Sequence, residues 1–335
     1  MNNKMTIAGA LNKAHHQLME ADQNILVIGE DIVGGAGLDG SELGGVFGVT
    51  AGLASCFGKD RVIDTPISET AFVGMAVGAA MTGIKPIVEV MFCDFIGVCF
   101  DQILNQAAKA RFLSNDRLEM PLVIRTTMGA GDGSGAMHSQ TLYGMLAGVP
   151  GLEVVCPSTP ADAAGLLKTA VASAGPVVML EHKGLYGEAM PVDAELPPVP
   201  LGKGRIVNEG NDITVVAVSA MVKVCEQAAK KLATRGIGVD LIDPRTIYPL
   251  DKDMILKSVK KTRRLLAVDE GPRIGGFADQ VIAAAVTDGY GFLRTAPQKL
   301  TPPHTPVPYG RLLEADWLVD ENSVINKIDE MLYEN

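Results

Sequence analysis

Residues 64–72 read Asp64-Thr65-Pro66-Ile67-Ser68-Glu69-Thr70-Ala71-Phe72 and join a short apolar strand to a helix that ends at about Met81. Pro66 turns the chain, and Ser68 is a favourable helix N-cap. The helix is apolar on all sides, which predicts that it is buried. Glu69 is therefore expected as an isolated carboxylate in the first turn of a buried helix, at the carboxyl end of a strand, where α/β sheets bind ligands.

Short apolar strands alternate with helices on both sides of this stretch. Strands are predicted at residues 25–28, 61–64, 86–92, 121–127, 152–156 and 176–181, and helices at residues 6–22, 68–81, 94–112 and 161–174. Such an alternation is typical of a parallel sheet that is covered by helices on both faces. The first part of the chain is thus predicted to be an α/β domain.

A proline- and glycine-rich segment separates this domain from a second one. Residues 189–204 have the composition of a linker, with several prolines followed by Gly202 and Gly204. Beyond them, strands are predicted at residues 213–218, 238–242 and 265–268, and helices at residues 221–234, 277–287 and 323–332. We therefore predict two parallel-sheet α/β domains, at residues 1–188 and 205–335, joined by this linker.

The composition excludes several classes of protein. Of the 335 residues, 47% are hydrophobic and 20% are charged, so the chain can bury sizeable cores. The net charge of −10 argues against binding to nucleic acid or to an anionic membrane surface. We expect neither a membrane span nor a signal segment, since no apolar stretch is long enough and the N-terminus lacks the pattern of a leader. The five cysteines form no CxxC pair, which indicates reduced, packed thiols in a cytoplasmic protein.

Two glycine-rich segments match cofactor motifs only in part. Residues 35–40 match G-x-G-x-x-G, but no helical pattern follows the third glycine, so a plain loop is the better interpretation. Gly131-Asp132-Gly133 matches the start of a thiamine diphosphate motif, in which an aspartate and a later asparagine bind Mg²⁺. The next asparagine is Asn208, beyond the linker, and we therefore predict no metal site in this chain.

Glu69, Phe95 and His138 each have a structural and a functional interpretation. A glutamate in a first turn stabilises the helix dipole, but no lysine or arginine adjoins Glu69, and a buried carboxylate needs a partner. Phe95 follows a strand, where an aromatic ring either packs in the core or stacks on a flat ligand. His138 follows the glycine-rich loop 129–135 and is exposed to whatever that loop encloses.

Segments along nearly the whole chain resemble the beta subunit of thiamine-diphosphate-dependent 2-oxo acid dehydrogenase complexes. In the first domain these are residues 64–69, 83–89, 101–109, 121–125, 138–140 and 150–152; in the second, residues 243–251 and 268–271 are similar to the transketolase C-terminal domain. The resemblance implies cleavage of the bond next to a carbonyl carbon and transfer of a two-carbon unit to the lipoyl arm of an acyltransferase.

The substrate implied by the resemblance depends on the branch of the family. Residues 29–31, 34–37, 44–50, 181–183 and 185–186 are most similar to the acetoin dehydrogenase branch. A pyruvate or branched-chain 2-oxo acid dehydrogenase subunit is the alternative. A non-catalytic scaffold subunit that completes a partner's site is an alternative from another class.

The resemblance also implies roles for four residues. Glu69 matches the glutamate that hydrogen-bonds N1′ of the cofactor's pyrimidine ring, which promotes the imino form that deprotonates the thiazolium carbon. Phe95 matches the aromatic residue that stacks on the pyrimidine. His138 matches a histidine that faces the substrate and the lipoyl arm, and Glu30 matches an acid that takes part in proton exchange.

Two protein partners follow from the same resemblance. An alpha subunit is expected to hold the diphosphate and Mg²⁺ of thiamine diphosphate and to form an α2β2 heterotetramer with this chain. The C-terminal domain is expected to dock the lipoyl acyltransferase core component. Its acidic residues suit a basic docking partner: Asp316, Asp320, Glu321, Asp329, Glu330 and Glu334.

Overall fold

The computed structural model describes residues 4–34 and 43–333. The chain forms two compact units, one made of Met1–Met128 and Leu146–Leu201 and the other of Gly129–Met145 and Gly202–Asn335. The glycine-rich segment that follows residue 128 therefore belongs to the second unit. No helix within the two described ranges combines the length and the apolar character that crossing a membrane requires.

The first unit is built on a parallel sheet. Its strands are β1 (Lys4–Met5), β2 (Ile25–Glu30), β3 (Val62–Thr65), β4 (Lys85–Phe92), β5 (Val123–Met128), β6 (Glu153–Val155), β7 (Val177–His182) and β8 (Met190–Pro191). The strands β6-β7-β5-β4-β2-β3 lie side by side in this order, and each neighbouring pair is parallel. β1 and β8 form a separate antiparallel pair. The register places Glu89 opposite Arg125 and Glu30 opposite Thr65.

Helices pack against this sheet. The helices in contact with its strands are α1 (Ile7–Ala21), α2 (Leu53–Phe57), α3 (Glu69–Ala80) and α6 (Pro160–Val171). The first unit also contains α4 (Ala108–Leu113), and α5 (Tyr143–Ala147) begins in the second unit and ends in the first. The predicted start of α1 is confirmed, because the Thr6 hydroxyl accepts a hydrogen bond from the Gly9 N–H at 3.1 Å. α6 begins in the same way, with Thr159 as N-cap and a proline in the first turn.

The single long helix predicted after β4 is wrong. The segment instead holds a 3-10 turn at Cys93–Gly97, a π-helical turn at Gln102–Ala107, and α4. The backbone N–H groups of Val98 and Cys99 bond to carbonyls three residues earlier, at 2.9 and 3.2 Å. Gly97, which lies between two β-branched residues, lowers the helix propensity at this point and lets the chain turn more tightly.

The predicted burial of α3 on all sides is also wrong for this chain. Phe72, Val73 and Ala76 are buried, but Met75 is 50% exposed on the opposite face. The apolar composition of a helix indicates which faces can be buried, whereas the elements packed against it decide which faces are covered.

The second unit contains a smaller, mixed sheet. The strands of that sheet are β9 (Arg205–Asn208), β10 (Ile213–Ala217), β11 (Val239–Asp243), β13 (Leu265–Val268) and β14 (Gln298–Leu300), and β12 (Thr246–Tyr248) is a further strand of the unit outside this sheet. In the order β14-β13-β10-β11-β9, all pairs are parallel except β11 and β9. The predicted α/β class is confirmed. The purely parallel second sheet is corrected by β9, a half-exposed edge strand whose residues lack the apolar run of the central strands.

The helices of the second unit are α7 (Ala220–Ala233), α8 (Lys252–Thr262), α9 (Phe277–Gly289), α10 (Arg311–Trp317) and α11 (Glu321–Tyr333). α7 has an apolar stripe at helical spacing that includes Met221, Cys225 and Leu232, and this stripe packs with apolar side chains of α11, β10, β11 and β13. Each fully buried large aliphatic side chain contributes about 1.5–3 kcal/mol to folding. This core fixes the ends of the strands from which the loops of the unit begin.

Candidate active site

Glu69 is the first residue of α3, as the sequence predicts. Its predicted burial is confirmed, since the residue is only 8% exposed. Within the described part of the chain, no lysine or arginine forms an ion pair with it. The predicted side-chain cap by Ser68 is wrong, because its hydroxyl donates instead to the carbonyl oxygen of Pro66 at 2.9 Å.

Glu30 lies beside Glu69, so the structure brings these two predicted site residues together. Glu30 ends β2, is 7% exposed, and accepts a hydrogen bond from the backbone N–H of Ser68 at 3.2 Å through Oε1. Burial and then the negative charge of Glu69 raise the pKa of Glu30 above its ordinary value. Thr65 lies opposite Glu30 on the neighbouring strand β3. Its hydroxyl is buried and has no hydrogen-bond partner among the described residues. The site therefore holds two carboxyl groups, neither of which pairs with a lysine or arginine of residues 4–34 or 43–333.

Phe95 lies in the 3-10 turn after β4 and belongs to a group of aromatic rings. Its ring packs edge-on against Phe92, with 5.5 Å between centroids, and Phe92 packs edge-on against Phe47 at 5.9 Å. Phe47 in turn stacks on Tyr186 at 5.1 Å. Such edge-to-face contacts fix the plane of each ring.

Cys99 follows the turn that carries Phe95 and is close enough to Glu69 to respond to its charge. Its Sγ lies 3.8 Å from the carbonyl oxygen of Phe95. Burial, and then the negative charge of Glu69, raise the pKa of the Cys99 thiol to about 12. The thiol is therefore neutral at pH 7 and acts as a buried packing group below the turn that carries Phe95.

A buried ionic network, which the sequence did not predict, lies in the middle of the first sheet. Arg125 donates hydrogen bonds to Glu181 at 2.8 and 2.7 Å and to Glu89 at 2.8 Å, and the Tyr186 hydroxyl also donates to Glu181. All four residues are buried. The available signal was a buried charged residue inside each of three apolar strands, Glu89, Arg125 and Glu181, and only the register of the sheet brings these residues together. Through Tyr186 this network supports the aromatic group that includes Phe95.

His138 belongs to the second unit, whereas Glu69, Glu30 and Phe95 belong to the first. Its backbone N–H donates to the carbonyl oxygen of Gly135 at 3.3 Å. The neighbouring residues line a cavity of about 450 Å³ together with Glu270, Trp317 and the proline-rich segment that ends at Val307. Ser139, 1% exposed, lines this cavity with a hydroxyl that has no hydrogen-bond partner among the described residues.

Several acidic residues of the C-terminal region already have partners within the chain. Asp329 pairs with Arg235 at 2.7 Å, and Glu321 pairs with Lys231 at 2.8 Å. Asp320 accepts the Ser323 N–H at 2.8 Å at the start of α11. Glu334, like the G-x-G-x-x-G match at residues 35–40, lies outside the described residues.

The remaining residues that could take part in chemistry are the cysteines and the possible metal ligands. All five cysteines are free, and four are buried as predicted, but Cys56 is exposed, which corrects the expectation that all are packed. Among residues 4–34 and 43–333, no three His, Cys, Asp or Glu side chains form a group that could hold a metal ion.

Comparison with known families and structures identifies the class of the protein. The pyrimidine-binding domain of transketolase matches residues 3–188, and the transketolase C-terminal domain matches residues 202–324. A solved split-gene transketolase, described as an inactive β4 tetramer, has the same fold, with a TM-score of 0.79, 22% identity and coverage of 98% of both chains. The fold and the two family matches place the chain in the transketolase-type, thiamine-diphosphate-dependent class.

Individual relatives narrow this class. The beta subunit of acetoin:2,6-dichlorophenolindophenol oxidoreductase from Bacillus subtilis is 42% identical, with 98% of each chain covered. The subunit of the same name from Cupriavidus necator is 46% identical, with 94% of this chain and 93% of the relative covered. A pyruvate dehydrogenase beta subunit of Arabidopsis thaliana (39% identity, 93% and 85% covered) and the 2-oxoisovalerate dehydrogenase beta subunit of B. subtilis (40% identity, 96% and 96% covered) also match. The chain belongs to the family of dehydrogenase beta subunits of the first component of 2-oxo acid and acetoin dehydrogenase complexes, and is an oxidoreductase component.

Proposed function

We propose that this chain is the beta subunit of an acetoin dehydrogenase, which cleaves acetoin and passes the two-carbon unit to the lipoyl arm of an acyltransferase. The observation that carries the proposed thiamine-dependent chemistry is the carboxyl pair of Glu30 and Glu69. Both groups are buried at the carboxyl ends of β2 and β3 and form no ion pair with a cation of the described residues. The identities of 42% and 46% to two acetoin-dependent relatives support acetoin as the substrate.

The residues of the first unit fit the pyrimidine half of thiamine diphosphate. The groups that suit a flat, nitrogen-bearing ring are the buried carboxyl of Glu69, the aromatic ring of Phe95 in the turn after β4, and the buried hydroxyl of Thr65, which has no partner among the described residues. When bound, the cofactor supplies a nucleophilic carbon that accepts the two-carbon unit. The diphosphate and Mg²⁺ are held by the alpha subunit, in an α2β2 heterotetramer located in the cytoplasm.

Glu69 holds a proton at N1′ of the pyrimidine ring. Glu30 lies beside it, and burial and then the negative charge of Glu69 raise the pKa of Glu30 above its ordinary value. Glu30 exchanges protons with the site, and the hydrogen bond that it accepts from the Ser68 N–H holds its carboxyl group at the start of α3. Phe95, fixed by Phe92, stacks on the pyrimidine ring.

His138 moves protons to and from the substrate and the lipoyl arm. Its position after a glycine-rich loop suits a residue that meets incoming molecules. The second unit docks the acyltransferase core component. Because Asp329 and Glu321 are paired within the chain, docking depends on acidic residues outside these pairs.

Pyruvate or 2-oxoisovalerate is the second candidate substrate, favoured by the relatives at 39% and 40% identity. The test is thiamine-diphosphate-dependent reduction of a dye by the chain copurified with its alpha subunit, with acetoin, pyruvate and 2-oxoisovalerate compared. Preference for acetoin supports the proposal. Preference for a 2-oxo acid shows that acetoin is the wrong substrate, while the family assignment stands.

The role of Glu69 is tested in the same complex. Glu69→Gln removes the shared proton without changing the shape, and turnover is expected to fall by about 10²–10⁴-fold. Glu20→Gln, an exposed glutamate on α1 in the same unit, is the matched control and keeps normal turnover. Near-normal turnover of Glu69→Gln refutes the assigned chemistry.

A further inference from the structure

The loop before His138 has a backbone that cannot hold its own shape. Residues 129–135 read Gly-Ala-Gly-Asp-Gly-Ser-Gly, and all four glycines have positive φ angles: 95° at Gly129, 115° at Gly131, 80° at Gly133 and 69° at Gly135. Glycine adopts such angles readily but loses more conformational entropy on ordering than any other residue. An ordered loop of this composition therefore requires anchors from outside it.

Two buried carboxylates of the second unit supply such anchors. Oε1 of Glu270 accepts the backbone N–H of Ala130 at 2.7 Å, and Oε2 of Glu314 accepts the backbone N–H of Gly133 at 2.7 Å. Glu270 is 4% exposed and Glu314 is 1% exposed. Hydrogen bonds from an amide to a carboxylate are shorter and stronger than those between neutral groups.

Glu314 has no other visible task. It lies on the short helix α10, and its second oxygen, Oε1, is buried with no hydrogen-bond partner among the described residues. Burying a carboxylate oxygen without a hydrogen bond costs free energy. The bond of the other oxygen to the Gly133 N–H is therefore the interaction that gives this side chain a role. The chain next to it also touches the loop, since a Cβ at Gly135 would lie 2.7 Å from Cδ2 of Tyr309. The loop is thus packed against the segment that carries Glu314.

The segment with His138 is tied down on its far side as well. The Tyr143 hydroxyl donates to Asp269, whose neighbour Glu270 holds Ala130. The chain from residue 130 to residue 143 is therefore fixed at both ends by Asp269 and Glu270, while Glu314 holds its middle at Gly133. His138 lies along the chain between the contact at Gly133 and the contact at Tyr143.

We infer that Glu314 is a positioning residue for His138: its carboxylate holds the glycine-rich loop in the one shape that presents the histidine to the substrate. This inference rests on the proposed role of His138. Glu270 shares the task at the start of the loop, and Glu314 is the cleaner probe because it does not border the cavity beside His138.

The test uses the complex copurified with the alpha subunit. Glu314→Ala is expected to lower kcat at least tenfold, with little change in the KM for thiamine diphosphate, and to raise hydrogen exchange of amides 130–140. Glu314→Gln keeps an oxygen that accepts the Gly133 N–H, so it is expected to restore most of the loss, and it serves where the alanine variant does not fold. Glu209→Ala, an exposed glutamate of the same unit, is the matched control.

A double-mutant cycle separates positioning from general stabilisation. If Glu314 acts through His138, Glu314→Ala costs nothing further in a His138→Ala background. Losses that multiply, or unchanged exchange in residues 130–140, overturn the inference. Full activity of His138→Ala overturns it too, while the result for Glu69→Gln stands separately, so that failure here is distinguishable from failure of the proposed function.

Discussion

Arg125→Met tests how the buried charges stabilise the middle of the first sheet. The guanidinium, only 1% exposed, is the sole cation shared by Glu89 and Glu181 in the described network. Methionine fills a similar volume without charge, so both carboxyl groups lose their partner. Removing one member of a buried ion pair costs about 3–5 kcal/mol, and because both pairs share one guanidinium the two costs do not add in full. We expect the first unit to lose about 4 kcal/mol in its free energy of unfolding at pH 7.

The size of this loss is expected to depend on pH. Burial raises the pKa of Glu89, Arg125 opposes that rise and Glu181 adds to it, so removing the arginine leaves a larger rise. A carboxyl whose pKa is raised in the folded chain contributes stability below its unfolded pKa and loses it as the pH rises through the folded pKa. The difference between the variant and the parent is therefore smallest near pH 5 and widens toward pH 8.

Hydrogen exchange in β4 and β5 measures this free energy within the unit concerned. Arg111→Met is the control, because its ion pair with Asp116, at 2.9 Å, has side chains that are 40% and 72% exposed. An exposed pair of this kind contributes about 0–1 kcal/mol. A loss below about 1 kcal/mol for Arg125→Met, or one that stays constant from pH 5 to pH 8, refutes the reasoning.

Three further predictions concern the first unit. Gly83 and Gly151 have φ angles of 92° and 91°, but only at Gly151 would a Cβ collide, 2.1 Å from the carbonyl oxygen of Ala108. In thermal unfolding, Gly83→Ala should cost about 1–2 kcal/mol and Gly151→Ala about 4 kcal/mol or more, and equal costs would contradict the steric argument. At pH 8, a thiol reagent should modify about one thiol in each native chain, and Cys56→Ser should abolish this labelling. Glu30→Gln removes a carboxyl whose pKa is raised in the folded chain, so the Tm of the variant relative to the parent should increase as the pH rises from about 4.5 to 7. A Tm difference that stays constant over this range would show that the ionised form of Glu30 does not destabilise the fold.

Most of the strands that form the two sheets could be predicted from the sequence, because the central strands are apolar on both faces. β4, β5 and β7 each carry a run of buried residues, and the signal of such a run survives without any knowledge of neighbours. β9 gave no such signal, since an edge strand with one exposed face needs few apolar residues. The tight turns after β4 were missed for a related reason: Gly97 weakens a helix, but the packing around it decides whether the helix breaks.

The candidate site was predictable where a residue contradicts its surroundings. Glu69 stands out as a charge at the start of an apolar helix, and burial confirms the contradiction. Glu314 lies 181 positions from its partner, and that partner is the backbone N–H of Gly133, a group every residue except proline possesses. When a side chain hydrogen-bonds to a backbone group, the residue type at that backbone position does not reveal the contact. Contacts of this kind follow only from topology, and the loop that carries His138 is held by them.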